Sequence, residues 1–444
     1  MSEFLWSRLT DYGDRLAIAE GSHEHSYREL SERIERWSGV LAEHGVAEGQ
    51  TVSLEGDYGL ESIGLLLALL RERCIIVPLS SDTAQLHDEF REVAMAQWRI
   101  DLRNGMPSVT ATGTRAEHPL YEQLRYTRSP GVVLFTSGST GKSKAAVHDL
   151  AALLEKYERP RSAFRTIVFL QLDHIGGLNT LLYTLANGGA VIVPRSRAPG
   201  VVCETIERHR AQLLPASPTF LNLVLLTEAY RQYDCSSLQR ITYGTETMPE
   251  STLERVCAAF PGVTLQQTYG MTELGILRSK SREDGSLWVK VGGEGFEIKI
   301  VDDRLFVRAR SAMLGYLNAP SPFDAEGFMD TGDAVAQDGP WLRILGRTSE
   351  LINVGGHKVY PVEVENLLLQ MEGVQDVAVK GEPHPLTGKI VSAVLRLSDP
   401  EELGQFKLRM RRFLKDRLPT YAIPAKLSLT DRPLHNARFK RVRN

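Results

Sequence analysis

Phe135–Lys144 reads FTSGSTGKSK and directly follows an apolar run, Val132–Phe135. Ser137, Ser139 and Thr140 interleave with Gly138 and Gly141 ahead of Lys144, and Thr136 stands at the base of the segment. Glycine lets backbone N–H groups approach an anion, hydroxyls add donors, and lysine adds charge, so this is a candidate phosphate cradle. A Walker-type loop does not fit. Gly141-Lys142-Ser143 supplies its tail, but Thr136 occupies the position that requires glycine. Taken alone, the segment also suits a flexible Ser/Gly turn.

A phosphate loop needs a strand to deliver it and a sheet to hold that strand. Up to about residue 345, short β-branched runs alternate with helical patterns. The runs include Cys74–Leu79, Val132–Phe135, Thr166–Leu170 and Ala190–Pro194; Ser62–Leu70 and Thr252–Phe260 read as helices. This alternation predicts an α/β fold: a large multi-layer N-terminal domain of largely parallel sheets with helices. Arg304–Val307 and Trp341–Leu345 are short, suit antiparallel pairing, and predict a small β subdomain. The chain changes character near Ser349. Gly355–Gly356 form a turn, Pro361 is a good first helical residue, and Val364, Leu367 and Leu368 follow at helical spacing. Strands are expected at Asp376–Val379, Ile390–Leu397 and Ala425–Leu429, with a helix from Glu401 to Leu418. The expected division is a large domain over residues 1–348 and a small α+β C-terminal domain over 349–444.

Bulk properties narrow the function classes. The chain has 444 residues, 42% hydrophobic and 24% charged, enough for more than one domain. A net charge of -3 gives no electrostatic reason to expect nucleic acid or an anionic membrane as partner. Cys74, Cys203, Cys235 and Cys257 are far apart in sequence, form no CxxC pair, and read as reduced core thiols. The N-terminus lacks an apolar signal core, and the longest apolar run, Ile63 to Leu70, is too short to span a bilayer. A cytoplasmic protein without membrane insertion is the expectation. From Gly404 to Asn444 there are twelve Lys or Arg against two Asp. That excess suits either a solvated helix face or an anionic partner.

The segment Phe135–Lys144 resembles the Ser/Thr/Gly-rich signature of the adenylate-forming superfamily: acyl-CoA synthetases, coumarate–CoA ligases, luciferases and peptide-synthetase adenylation domains. Its usual proline-lysine-glycine ending is Ser143-Lys144-Ala145 here. Further segments resembling the family's motifs follow in family order. Leu172–Leu178 (LDHIGGL) looks like the acyl-pocket segment, with His174 at the His-or-aromatic position. Ile175 stands where amino-acid-activating relatives carry an acid, which disfavours an α-amino acid. Tyr243–Pro249 (YGTETMP) resembles the turn on the adenine, matching Gly244, Thr245 and Glu246, with Thr245 where glycine or alanine is commoner. Thr268–Glu273 (TYGMTE) is almost unmodified. The resemblance implies that Tyr269, beside Gly270, stacks near adenine, Thr272 bonds the α-phosphate and Glu273 binds Mg²⁺. One carboxylate plus substrate phosphates is a usual Mg²⁺ site.

Asp330–Asp333 (DTGD) and Leu345–Arg347 (LGR) match the pair that brackets the ribose. Asp333 would accept from the hydroxyls and Arg347 would add a fork of donors. Ser349 occupies the hinge position. Asn353–Pro361 resembles the loop of the thioester half-reaction, implying that Gly355, Gly356, His357 and Lys358 approach the pantetheine thiol. Asn436–Arg441 (NARFKR) aligns with the terminal signature whose lysine reaches the substrate carboxylate, here Lys440, with Phe439 in place of the usual glycine. His174, Gly176, Gly177, Pro218 and Tyr243 are expected near the acyl pocket.

The resemblance implies an ATP-dependent ligase that converts a small-molecule carboxylic acid to an acyl-adenylate. The acyl group then passes to coenzyme A or to the phosphopantetheine of an acyl carrier protein. A carrier-dedicated enzyme and a non-catalytic nucleotide-binding homologue remain the alternatives.

Overall fold

The computed structural model describes residues 3–103, 105–137, 143–436 and 438–443. Two seven-stranded sheets build the large domain. The first runs, in spatial order, Thr264–Gln267, Arg240–Tyr243, Leu213–Ala216, Arg165–Ile167, Ala190–Val193, Leu16–Glu20 and His23–Ser26. All its pairings are parallel except the terminal hairpin of Leu16–Glu20 with His23–Ser26. The second runs Gly315–Tyr316, Ser143–Asp149, Gly131–Ser137, Ile75–Leu79, Thr51–Glu55, Trp98–Asp101 and Ser108–Ala111. Its three central pairings are parallel and its outer ones antiparallel. Eight of the twelve pairings in the two sheets are parallel, as expected, and the antiparallel ones make the sheets mixed. Consecutive strands without a crossover helix between them pair antiparallel, whereas Gly315–Tyr316 adds its antiparallel edge from a distant part of the chain.

Helices Tyr27–His44, Leu60–Arg71 and Ile175–Ala186 pack among these layers. Leu60–Arg71 is buried almost throughout, so its apolar run is core rather than a membrane segment. No helix among the described residues is long and apolar enough to cross a membrane. A six-stranded antiparallel sheet follows, including Arg304–Ala309, Met329–Asp338 and Trp341–Arg347, as expected for the small β subdomain.

The last hydrophobic core draws only on residues between Ile352 and Leu427. Pro361 opens the helix Pro361–Leu368. Val374–His384 pairs antiparallel with Gly388–Leu397, and Lys426–Leu429 joins parallel to the latter. The expected 401–418 helix is shorter, Leu403–Leu414, beginning after Glu402, whose side chain caps it. Of the cysteines, only Cys74 and Cys203 are buried; Cys235 and Cys257 are half-buried, which corrects the core assignment for those two.

Candidate active site

A cavity of about 1100 Å³ opens at the carboxyl ends of the first sheet's strands, where ligands of parallel α/β sheets characteristically bind. Its walls come from both domains. Gly244 packs against the TYGMTE turn so closely that a Cβ would lie 2.5 Å from Thr268 Oγ1 and 2.8 Å from its carbonyl oxygen. Only glycine fits there. Thr245 follows at φ 73°, and its buried Oγ1 has no partner among the described residues. Tyr269, Gly270 and Thr272 line the same wall.

The Tyr269 hydroxyl donates to Asp333 Oδ2 at 2.6 Å, and Arg347 Nε lies 2.9 Å from Asp333 Oδ1. Arg347 also donates to the Thr331 carbonyl at 2.6 Å. Asp330–Asp333 and Leu345–Arg347 are brought together because their strands pair with Asp333 opposite Arg347. Burial raises the Asp333 carboxyl above the usual range, opposed by Arg347 and the Tyr269 hydroxyl. Tyr269 therefore has a positioning contact that the motif comparison did not anticipate.

Glu273 accepts from the Tyr316 hydroxyl at 2.5 Å, and Lys144 Nζ stands 5.1 Å from the centroid of the Tyr316 ring. Tyr316 was not singled out in sequence. It lies on a two-residue strand that pairs with Ser143–Asp149, the strand leading away from the phosphate loop. Thr136 and Lys144 line the cavity. Gly138, Ser139, Thr140 and Gly141 lie outside the described residues, as does the Ser137 side chain. Among the described residues no cluster of three or more His, Cys, Asp or Glu could hold a metal. Glu273 facing the cavity as a single carboxylate fits a hard cation that completes its shell with phosphates and water.

His174 caps the helix Ile175–Ala186, its Nδ1 accepting from Gly176 N at 3.0 Å. Burial, with Lys440 and Arg438 nearby, holds the imidazole well below its ordinary pKa, hence neutral. Gly177 is fixed by close approach, since a Cβ would fall 2.6 Å from the Leu170 carbonyl oxygen. His174 and Gly176 line the cavity; Gly177, Pro218 and Tyr243 do not. Tyr243 alternates with Thr242 on its strand, so its side chain turns into the opposite core. Pro218 starts a neighbouring helix and lines a separate small pocket.

The C-terminal segment closes the cavity. Lys440 lines it, and burial, then Arg438, push its ammonium below the usual range, against the pull of Glu246 and Glu273. The flanking residues anchor it. Arg438 reaches Asp173 Oδ2 at 3.3 Å, and Ser217 Oγ donates to the Phe439 carbonyl at 2.9 Å. The backbone N–H of Arg441 donates to Glu246 at 2.9 Å, and a second Glu246 oxygen accepts from Thr219 N at 2.8 Å. Glu246 is thus a clamp on the terminal segment. The guanidinia of Arg441 and Arg443 reach fully buried Glu365 at 3.1 and 2.8 Å. The Gly355, Gly356, His357 and Lys358 turn is exposed and away from the cavity, and the His357 ring stacks on Tyr421 at 4.2 Å.

Comparison with known proteins agrees with this geometry. Residues 5–317 match the AMP-binding enzyme family and residues 363–440 match the AMP-binding enzyme C-terminal domain. An indoleacetate–CoA ligase of Aromatoleum aromaticum is 28% identical over 94% of this chain and 91% of its own. A 2-succinylbenzoate–CoA ligase of Bacillus subtilis is also 28% identical, over 97% of this chain and 94% of its own. In fold, the anthranilate CoA ligase AuaEII in complex with anthranoyl-AMP superposes with a TM-score of 0.82 at 20% identity, covering 99% of this chain and 95% of that one. The chain therefore belongs to the AMP-binding enzyme family and is an AMP-forming acid–thiol ligase, which makes an acyl-adenylate from ATP and transfers the acyl group to a thiol.

Proposed function

We propose that Lys440 aligns the acid for adenylation in the pose seen here, and that coenzyme A is the acceptor. The observation that carries this reading is Lys440 entering the same cavity as Thr272, Glu273, Asp333 and Arg347. In the first step a carboxylate oxygen attacks the α-phosphorus of ATP, and the bond to pyrophosphate breaks. Two anions must meet, so the chain's contribution is positive charge and alignment rather than a base. Lys440 holds the carboxylate, the 136–144 segment with Lys144 holds the phosphates, and Asp333 with Arg347 holds the ribose. Glu273 would hold Mg²⁺, which when bound neutralises phosphate charge.

In the second step the thiol attacks the acyl carbon and AMP leaves. A lysine over the carbonyl obstructs that approach. The exposed turn Gly355–Gly356 and the small domain beyond Ser349 supply the other pose, reached by rotation about residues 348–350. The relatives named above act on acids built around a ring, and Tyr157, Phe164 and Tyr183 along this cavity suit such an acid.

Five of the twelve basic residues after Gly404 are engaged in ion pairs within the chain: Arg409, Lys426, Arg438, Arg441 and Arg443. Arg411, Arg412, Lys415 and Arg417 stay exposed and suit the phosphates of coenzyme A, or the acidic face of a carrier protein. Offering both acceptors side by side separates them. Lys440→Ala is expected to lose about 100-fold in pyrophosphate exchange, the scale of one transition-state electrostatic contact. Thiol transfer from a supplied acyl-adenylate should largely survive. Equal loss in both half-reactions would refute the role.

A further inference from the structure

Beyond the wall formed by Tyr269, Gly270 and Thr272, the cavity continues along the face of the first sheet and one side of the helix Ile175–Ala186. Ile175, Gly176, Asn179, Thr180 and Tyr183 line it from the helix, a spacing that keeps one face turned inward. From Ile175 to Tyr183 that face extends about 12 Å at 1.5 Å per residue. On the sheet side Gly244, Thr242 and Arg240 line it, and Gly244 to Arg240 measures about 13 Å at 3.3 Å per residue. Two independent rulers therefore give one arm of the same length, leading away from the reacting centre.

The end of that arm is cationic. Lys156, Arg161, Arg240 and Arg278 line it, and among the described residues none forms an ion pair. Lys156 donates to Asn179 Oδ1 at 2.5 Å and to the Ile276 carbonyl at 3.3 Å, both neutral acceptors. The guanidinium of Arg240 stands 5.5 Å from the Phe164 ring centroid. The Nε atoms of Arg240 and Arg278 are buried without a hydrogen-bond partner.

Elsewhere this chain neutralises such groups. Glu55 is fully buried and takes Arg91, Arg99 and Arg103 together, while Glu365 takes Arg441 and Arg443. Arg161 is exposed, but Lys156, Arg240 and Arg278 are half-buried, and cations withdrawn from water without a counter-ion are costly. Burial, then Arg161 and Arg278, push the Lys156 ammonium down to about 7.

We infer that this end receives a second anionic group of the acid substrate, so the enzyme activates one end of a compound that is anionic at both. The inference rests on the adenylating role proposed above and specifies its substrate. The proximal carboxylate oxygen forms the bond to the α-phosphorus as pyrophosphate departs. The distal anion stays unreacted against Lys156, Arg240 and Arg278, within about 13 Å of the proximal carboxylate by the strand ruler. The shared chemistry, an anion on arginine and lysine, would also describe a phosphate of coenzyme A, and the test separates the two.

The experiment measures ATP-dependent pyrophosphate release by the full chain with linear and aryl dicarboxylic acids of graded length, each paired with its monomethyl ester. Diacids should exceed their esters in kcat/KM by about 30-fold or more, the scale of a buried charge contact. Arg278→Met and Lys156→Met should each collapse that ratio, and Arg278→Lys should restore part of it. Arg278→Glu should shift preference toward ω-amino acids, a change that loss of folding cannot imitate. Turnover of esters equal to that of diacids overturns the inference while leaving the adenylating role intact. A rise confined to the KM for coenzyme A also overturns it, assigning the cluster to the acceptor. Release with no acid of either series overturns this inference, while the adenylating role is judged by the Lys440→Ala half-reactions with whatever acid the enzyme accepts.

Discussion

At the scale of single residues, Phe439 shows how a departure from a family pattern is accommodated. Its backbone holds φ 52°, a left-handed conformation that costs a non-glycine residue about 1–2 kcal/mol. Its ring packs 5.4 Å from Phe169, 5.6 Å from Phe220 and 5.2 Å from His435, measured between centroids. Deleting a fully buried phenylalanine side chain costs about 3–5 kcal/mol, so even a half-buried ring offsets the backbone strain. Glycine is not needed when the side chain docks against the other domain. Tyr316 is a second case. Its hydroxyl orients Glu273, and partners that orient metal ligands are worth about 10-fold or more in metal affinity. Tyr316→Phe keeps the ring beside Lys144 and is expected to raise the Mg²⁺ concentration for half-maximal adenylation about 10-fold. An unchanged Mg²⁺ titration would remove Tyr316 from the site.

At the scale of elements, the helix Pro361–Leu368 carries Glu365, whose carboxylate gathers Arg441, Arg443 and the Val379 N–H. Burial alone would raise this carboxyl, but Arg441 and Arg443 pull it below the ordinary range. A depressed native pKa means that the group stabilises the fold above the unfolded carboxyl value, about 4.3. That contribution is lost as pH falls through the lower native value. Glu365→Ala leaves Arg441 with only Asp376 and Arg443 with only the more exposed Glu350, so the loss should stay below the roughly 3–5 kcal/mol of a buried cation stripped of every partner. Lys440 immediately precedes Arg441, so the lysine should lose its anchor. Hydrogen exchange along Val374–His384 should accelerate and pyrophosphate exchange should fall. Preserved protection together with full activity would contradict the clamp.

At the scale of the whole molecule, few polar contacts outside the terminal segment hold the domains in this pose. They include Ser251 N with Asn366 Oδ1 at 2.8 Å, Ser251 Oγ with the Asn366 carbonyl at 3.3 Å, and Asn222 Nδ2 with the Gln375 carbonyl at 3.3 Å. Small polar interfaces of this kind suit domains that separate and redock. Gly356 holds φ 90° in an exposed turn with open space around its Cα, so its backbone rather than its surroundings demands glycine. Gly356→Val is expected to lower acyl transfer to coenzyme A by 10-fold or more, since a β-branched residue strains that turn by about 1–3 kcal/mol. Pyrophosphate exchange should change far less. A matched decline in both half-reactions would mean that the turn serves stability alone.

The motifs were legible in the sequence because their demands are local. A glycine that must touch a neighbouring turn, as Gly244 touches Thr268, or a proline that opens a helix, as Pro361 does, imposes its residue type directly. The helices and most strands announced themselves by apolar period, although Thr166–Leu170 shortened to Arg165–Ile167. Tyr316 on Glu273, Arg438 on Asp173, and Lys156 gathered with Arg240 and Arg278 were not legible. Their partners are remote in sequence and meet only through strand order and domain docking. What the sequence by itself determined is the chemistry at the reacting centre, because backbone geometry there tolerates few residue types. What the tertiary structure alone decided is the character of the acid-binding arm, because a lysine or arginine acquires its meaning from whether a carboxylate folds against it.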